Sequence, residues 1–457
     1  MDAYIDWFIR WIPDSWFFCL GLTALVAVCA LIFTDMPFYS FSQPKNLVNA
    51  WTGSFWNLLA FTMQMTVLLV TGSAVAASPP VKRLLSAIAR FPNTQAQVVI
   101  VGAVGAWMMG YLHWGIGMMG GIMLGRQLFI QAKLRGIKVH KPILVAAIFL
   151  QFIPGAAGLS GAAALFSASP GYLKNMVTAE YKDSVPNFLS LAETVASPAF
   201  IATLLLGLAV SIAVCLWMMP KDPSRIEEIE DEFVREAMSN KSEVKADNST
   251  PALRMSHSRV LMYAIGGIGL AWCGLFLYNK GILGLSLNNY NFLFLCLGMV
   301  LCGNPVLFCK TIREGLDGSW GFVLQFPFYA GIFGLISQSG LGTLIAHLFI
   351  SVSDANTFPL FAFIYSGLLN IAVPSGGSKF VIEAPYIIPA ALETGAHIKT
   401  IICAYQLGDS LTNEITPFFA LPYLANFKLE FNRIIPYTFV AVVLIFIVNN
   451  AMLWWAI

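Results

Sequence analysis

The chain has 457 residues, of which 58% are hydrophobic and 11% charged, with a formal charge of +2 and a mean hydropathy of +0.73. Soluble domains carry about 25% charged residues, so this composition excludes a water-soluble fold. A charge so near zero gives no footing for nucleic acid. The eight cysteines are scattered through apolar segments with no CxxC pair or metal spacing, and read as small core residues.

Stretches free of Asp, Glu, Lys and Arg recur along the chain: Phe17–Phe33, Phe55–Ala77, Ser197–Met219, Val260–Asn279 and Ile434–Ile457. A helix needs roughly 20 such residues to cross about 30 Å of hydrocarbon. The first has only Arg10 ahead of it, Asp14 at its edge and no small-residue cleavage site after Phe33. It reads as a retained first span, not a signal peptide.

Basic residues set the expected topology. Lys82, Arg83 and Arg90 form one cluster, and Arg126, Lys133, Arg135, Lys138 and Lys141 a second. Lys221–Arg259 carries seven more beside the acids of Ile226–Ala237. It reads as a soluble linker whose run of Glu is a solvated helix face. Placing these loops in the cytoplasm leaves 20 of 26 basic residues inside, five outside (Lys45, Lys174, Lys182, Lys280, Lys399), and Lys379 within the membrane.

Phe91–Gly125 has no charged residue between two basic flanks on the same side, which predicts a re-entrant hairpin over about 91–125 turning at His113–Gly117. A span over about 142–170 follows, interrupted at Pro154–Gly161. In the second half, 357–392 predicts an opposed hairpin turning at Pro374–Ser378, and 399–424 a span interrupted at Gly408–Asn413. The count is nine full spans and two hairpins, with the N-terminus cytoplasmic. Irregular backbone at that depth is tolerated only inside protein or beside a water-filled cavity.

The halves also match weakly in sequence. Gly53-Ser54-Phe55 with Phe61 aligns with Gly318-Ser319-Trp320 and Phe326, and Asn93-Thr94 with Asn356-Thr357. Ser160-Gly161, Phe166 and Ala168-Ser169-Pro170 align with Thr412-Asn413, Phe418 and Ala420-Leu421-Pro422. Together with the opposed charge pattern, this predicts an all-α polytopic membrane protein of two inverted-topology repeats, 1–220 and 259–457, joined by a cytoplasmic linker, 221–258. Such repeats with broken helices build secondary transporters whose site lies at the midplane.

Helix ends at such breaks offer N–H groups to a carboxylate or carbonyls to a cation. Ser375, Gly376, Gly377 and Ser378 allow close approach to the backbone. Ionisable groups at membrane depth are costly and usually functional, which singles out Lys379, Glu383, Asp409 and Glu414. Lys379 and Glu383, at i and i+4, either neutralise each other or leave the lysine as counter-ion to an anion. Asp409 and Glu414 flank Ser410, Thr412 and Asn413, an oxygen-rich set suited to Na⁺ or a titrating proton. His113 reads as a satisfied neutral side chain or a proton relay. No GxSxG, HExxH or Walker loop is present, so neither an enzyme nor a cofactor is expected, and the linker is too short for a nucleotide-binding domain.

Several strings resemble the bacterial short-chain fatty acid transporter family: FWNLLAFTMQM (Phe55–Met65), VTG and SPPVK up to Lys82, HWGIG (His113–Gly117), LQFPFYAGI (Leu324–Ile332), AVPSGGS (Ala372–Ser378) and TPFFALP (Thr416–Pro422). The resemblance runs from about Trp11 to the C-terminus. It implies uptake of acetoacetate and related short monocarboxylates across the bacterial inner membrane, in an elevator-type and often dimeric carrier of the ion-transporter superfamily. It further implies substrate contacts from Trp114, Gly115 and Gly117, from Ser375–Ser378, and from Ser160 and Asn413 in the unwound spans. The charges at Lys379, Glu383 and Glu414 depart from the family pattern and leave the substrate's polarity open. A dicarboxylate or tricarboxylate symporter, for which more than one basic counter-ion is expected, and a passive anion channel stay as alternatives.

Overall fold

A computed structural model describes residues 15–41, 43–239, 249–281, 285–316, 320–372 and 376–455, and among these every regular element is helical. Hydrocarbon offers no partner to a backbone N–H or C=O, so an apolar chain satisfies them within its own helices. Among the described residues, five helical stretches are long and apolar enough to cross a membrane, and seven if each of two bent pairs counts as one. Ser15–Phe33, Leu287–Cys302 and Phe358–Ala372 are further apolar helices. The expected nine full spans are therefore not reproduced by length alone, because several crossings are cut short by bends and breaks.

Each bend has a local cause. Thr62–Ala77 meets Pro79–Ile88 at 61°, where Ser78 precedes a proline and is held extended. Val323–Ser339 meets Leu341–Val352 at 75°, with Gly340 at a φ of 86°. Only glycine adopts that backbone without strain.

Burial ranks the layers. Val260–Lys280 presents Leu261, Ile268 and Leu275 outward, a surface suited to lipid. The stretch Lys141–Ser167 is 94% enclosed by protein, so the interrupted helices form the interior and the continuous ones the wall. Two reversals serve that interior. Gln95–Leu112 and Trp114–Leu134 run antiparallel, with Gly117 against Gly110, Gly120 against Met109 and Gly105 against Leu124. Phe358–Ala372 precedes Gly376–Thr394, with Ser366 facing Lys379 and Tyr365 facing Tyr386. The intervening 373–375, which include Ser375, lie outside the described residues.

The interruptions differ in detail from those expected. His113 alone is extended and Trp114–Gly117 already belongs to the next helix. Pro154 is helical within Phe152–Ala157, and the irregular turn is Gly158–Gly161. Gly408–Thr412 is also helical; the break falls later, at Asn413–Ile415 and the extended Thr416. Pro417 opens the following helix and imposes that extension. Gly408 is needed instead for packing, since a Cβ there would strike the Phe363 carbonyl of the adjacent helix.

The acidic stretch of the linker keeps Glu230, Asp231 and Glu232 exposed to solvent while docking on the bundle through ion pairs. Lys141, 2% exposed, places its ammonium 2.6 Å from Glu230, and Lys133 lies 3.3 Å from Glu228 and 3.0 Å from Asp231. Arg433 pairs with Glu227, whose carbonyl accepts the Lys141 backbone N–H at 2.7 Å. Ile229, Phe233 and Val234 are buried beneath, and Arg126 covers the Phe233 ring. The sequence pattern missed this because the basic partners lie on three separate helices.

Candidate functional site

The interior is assembled where both reversals meet both broken spans. At the first reversal, His113 caps the helix it precedes: its Nδ1 accepts the Gly115 and Ile116 N–H groups at 3.1 and 3.4 Å. The Trp114 N–H donates to Ser160 Oγ at 2.8 Å, and Gly117 N–H to the His113 carbonyl. Leu159 N–H donates to the Tyr111 carbonyl, so the turn Gly158–Gly161 is tied to the reversal on both sides. The four backbone donors expected to receive substrate are thus satisfied within the protein in this conformation. His113 is fully buried, and its Nε2, which carries the proton when Nδ1 accepts, has no partner.

The second reversal is built around charge. Lys379, with no exposed surface, lies 3.3 Å from Glu383 Oε1 and 3.3 Å from Asp409 Oδ1. It also donates to Ser366 Oγ at 2.5 Å and its carbonyl at 3.2 Å, and sits 3.9 Å over the Tyr405 ring. Tyr405 Oη in turn donates to the Gly376 carbonyl. Gly376 is packed so closely on Asp409 that a Cβ would lie 2.6 Å from Oδ2. With both acids ionised this cluster carries a net charge of −1, and its one cation is already shared.

The second broken span completes the site. Asn370 Nδ2 donates to the Asp409 carbonyl at 2.9 Å, Thr412 Oγ1 at 3.0 Å and Asn413 Oδ1 at 2.6 Å. The oxygens expected to surround Na⁺ therefore surround an amide, while Ser410 Oγ turns back to Leu407 at 3.1 Å. Glu414, fully buried, receives the Ile153 N–H on Oε1 at 2.9 Å. Gln151 reaches Tyr423 at 3.0 Å and Gln406 reaches the Ala156 carbonyl at 3.0 Å, so the two broken spans clasp each other.

One regularity runs through these contacts. Buried oxygens without a hydrogen-bond partner gather around the breaks: Gln151 Oε1, Asn370 Oδ1, Glu383 Oε2, Gln406 Oε1 and Glu414 Oε2. All are acceptors. A site short of donors and of positive charge repels a carboxylate unless a cation or proton accompanies it.

Sequence reasoning overlooked Ser366, Asn370, Gln151, Tyr405 and Gln406. Ser366 and Asn370 are spaced i, i+4 on an apolar helix, and Gln406 lies in the stretch Thr400–Leu411, buried throughout, which is the signal that was available. The side chain of Ser378 lies outside the described set, and Gly377 is buried at the start of its helix.

Comparison with known proteins gives a consistent picture. A family model described as short chain fatty acid transporter matches residues 2–455. A protein of Haemophilus influenzae, named "Putative short-chain fatty acid transporter", is 33% identical over 415 residues, covering 91% of this chain and 90% of that one. One of Escherichia coli K12 with the same name is 33% identical over 432 residues, covering 94% and 93%. Among solved structures, the YdaH transporter of Alcanivorax borkumensis superposes with a TM-score of 0.56 at 17% identity, covering 96% of each chain. MtrF of Neisseria gonorrhoeae, described within a class of antimetabolite efflux pumps, superposes at 0.59 and 15% identity, covering 100% and 97%. At those identities the two structures speak for the fold alone.

Proposed function

Because the chain belongs to the short-chain fatty acid transporter family, we propose that it is a secondary active carrier moving short-chain monocarboxylates, acetoacetate among them, with H⁺ or Na⁺. The observation that carries the coupling is the excess of buried, unpartnered oxygens around the broken spans. An anion entering beside Glu383, Asp409 and Glu414 needs a compensating positive charge, and a co-transported cation supplies it. A single lysine, already shared by two acids, favours a monocarboxylate over a dicarboxylate or tricarboxylate.

In this reading the substrate carboxylate docks near Trp114, Gly115, Gly117 and Ser160 on one side and Ser375–Ser378, Lys379 and Asn413 on the other. His113, Glu383, Asp409, Thr412 and Glu414 manage the ion. The N–H groups of the first reversal become available only when His113 and Ser160 let go, which links binding to movement. The reversals and broken spans shift as one body against the outer helices, in elevator fashion, within two inverted repeats joined by the segment 221–258. The setting is a bacterial inner membrane with the N-terminus cytoplasmic, and the assembly a homodimer. The clasp between the broken spans supports the idea of one moving body.

A ligand-stabilisation screen tests the substrate class. Acetate, butyrate and acetoacetate are expected to raise the melting temperature of the purified protein, the native state gaining about 2.7 kcal/mol at a hundredfold excess over Kd. Succinate and citrate are expected to do nothing. A shift with citrate and none with the short acids would overturn the reading.

A further inference from the structure

Glu414 differs from every other buried acid at the site. Glu383 and Asp409 share Lys379, whereas Glu414 makes no ion pair with any Lys, Arg or His among the described residues. Its Oε1 is held by the Ile153 N–H, the Phe152 N–H also faces the carboxylate, and Oε2 makes no hydrogen bond of ordinary geometry. A lone ionised carboxylate in hydrocarbon is expensive, and neutralisation is the usual escape.

The surroundings favour a proton over a metal cation. Oε1 points at a backbone N–H, whose positive end repels a cation at that oxygen. Oε2 makes no such bond, which is where an acid proton belongs. Four elements pack against the turn Asn413–Ile415. Phe152–Ala157 has no titratable side chain, and Pro417–Phe427 has Tyr423. Phe431–Trp455 has Arg433, committed to Glu227, and Tyr437, which meets His140. Ile398–Thr412 has Asp409, Tyr405 and Cys403, and Lys399 at its far end, roughly 22 Å away along the helix axis. No cation is placed to compensate Glu414.

We propose that the Glu414 carboxyl takes up and releases the proton that travels with substrate. In the conformation seen, the proton sits on Oε2. When the turn Asn413–Ile415 leaves Ile153 and opens to water, the O–H bond breaks and the proton passes to water. Uptake on the opposite side is the reverse. The turn is suited to this, being one short helical turn between the end of Ile398–Thr412 and the extended Thr416. This assignment rests on the cation-coupled carrier reading and narrows the ion to H⁺.

Two measurements on the full-length protein test it. The first needs no substrate: infrared difference spectra of the purified protein between alkaline and acid buffer. Wild type is expected to gain a protonated-carboxyl C=O band that Glu414→Gln lacks and Glu414→Asp retains at a shifted position. Identical spectra for wild type and E414Q would overturn the proposal, and the Asp variant covers the case in which Gln fails to fold. The second is uptake of labelled butyrate and acetoacetate into proteoliposomes. With one proton per substrate, a tenfold inward proton gradient should give wild type about tenfold accumulation. E414Q should lose the proton-driven initial rate of accumulation that wild type shows above protein-free vesicles, into which the neutral acids leak, while still exchanging label above that background. Accumulation driven by sodium alone, with no carboxyl band, would sink the Glu414 proton and leave the carrier standing. A band that E414Q loses, with no uptake of either acid by wild type, would sink the substrate assignment and leave the proton site standing.

Discussion

The first reversal and the second broken span occupy the same interior and solve opposite problems. At His113–Gly117 each backbone donor has an acceptor: His113 Nδ1, Ser160 Oγ and the His113 carbonyl take the N–H groups that a helix start leaves free. Around Asp409–Glu414 acceptors outnumber donors: Glu383 and Asp409 share one lysine, and Glu414 has none. The first region is closed as it stands and must be opened to bind anything. The second is incomplete and calls for positive charge. In the proposed mechanism the difference separates holding the bundle together from handling an ion, though both regions were nominated as binding sites by the same breaks.

The contrast can be broken most forcefully at Lys379. Removing one member of a buried ion cluster costs about 3–5 kcal/mol, so Lys379→Ala should unfold readily on heating in detergent. The triple variant K379M/E383Q/D409N should recover most of that stability without recovering transport. Recovery of both would make the cluster purely structural.

Next in size is Asn370→Ala, which strips the donor from Asn413 Oδ1 and the Asp409 carbonyl, at about 1–3 kcal/mol. It should also change the cation dependence of uptake. Ser160→Ala leaves one N–H unpaired and should cost about 1 kcal/mol, lowering the melting temperature while leaving cation dependence alone. If the two variants shifted cation dependence equally, the two regions would not differ in role.

The smallest effect belongs to the strap. Exposed ion pairs contribute about 0.2–1 kcal/mol each, so Glu228→Gln should only raise proteolytic cleavage of 226–239 in salt. Burial pulls the Glu230 carboxyl up, but the Lys141 ammonium, the strap's own backbone N–H and Lys428 together outweigh it and leave it below its ordinary value. Its folded value being depressed, its contribution is complete above the unfolded pKa of about 4.3 and is lost as pH falls through the lower folded value. Strap cleavage should therefore rise at acid pH in wild type and lose that dependence in Glu230→Gln.

Much of the fold was legible because hydropathy and charge act locally. The apolar segments Ser197–Met219 and Val260–Asn279 reappear as Pro198–Trp217 and Val260–Lys280. The residues named for charge, Lys379, Glu383 and Asp409, do come together, since ionisable groups in a membrane have few other choices. What stayed hidden was tertiary. Gly408 looked like a helix breaker and proved to be a packing contact, and the true break was set by Pro417. Asn370 was invisible because its partners lie about 40 residues on. The docking of the linker's Glu run was hidden because its basic partners are distributed over Lys133, Lys141 and Arg433.

The central claim is that a cation must accompany the carboxylate. The most direct measurement is uptake of labelled butyrate and acetoacetate into proteoliposomes holding the wild-type protein, with an inward proton gradient, an inward sodium gradient, or neither. The account predicts accumulation above the external concentration with one of the two gradients and simple equilibration with neither. Flux that equilibrates identically under all three conditions would contradict it and point to a passive pathway.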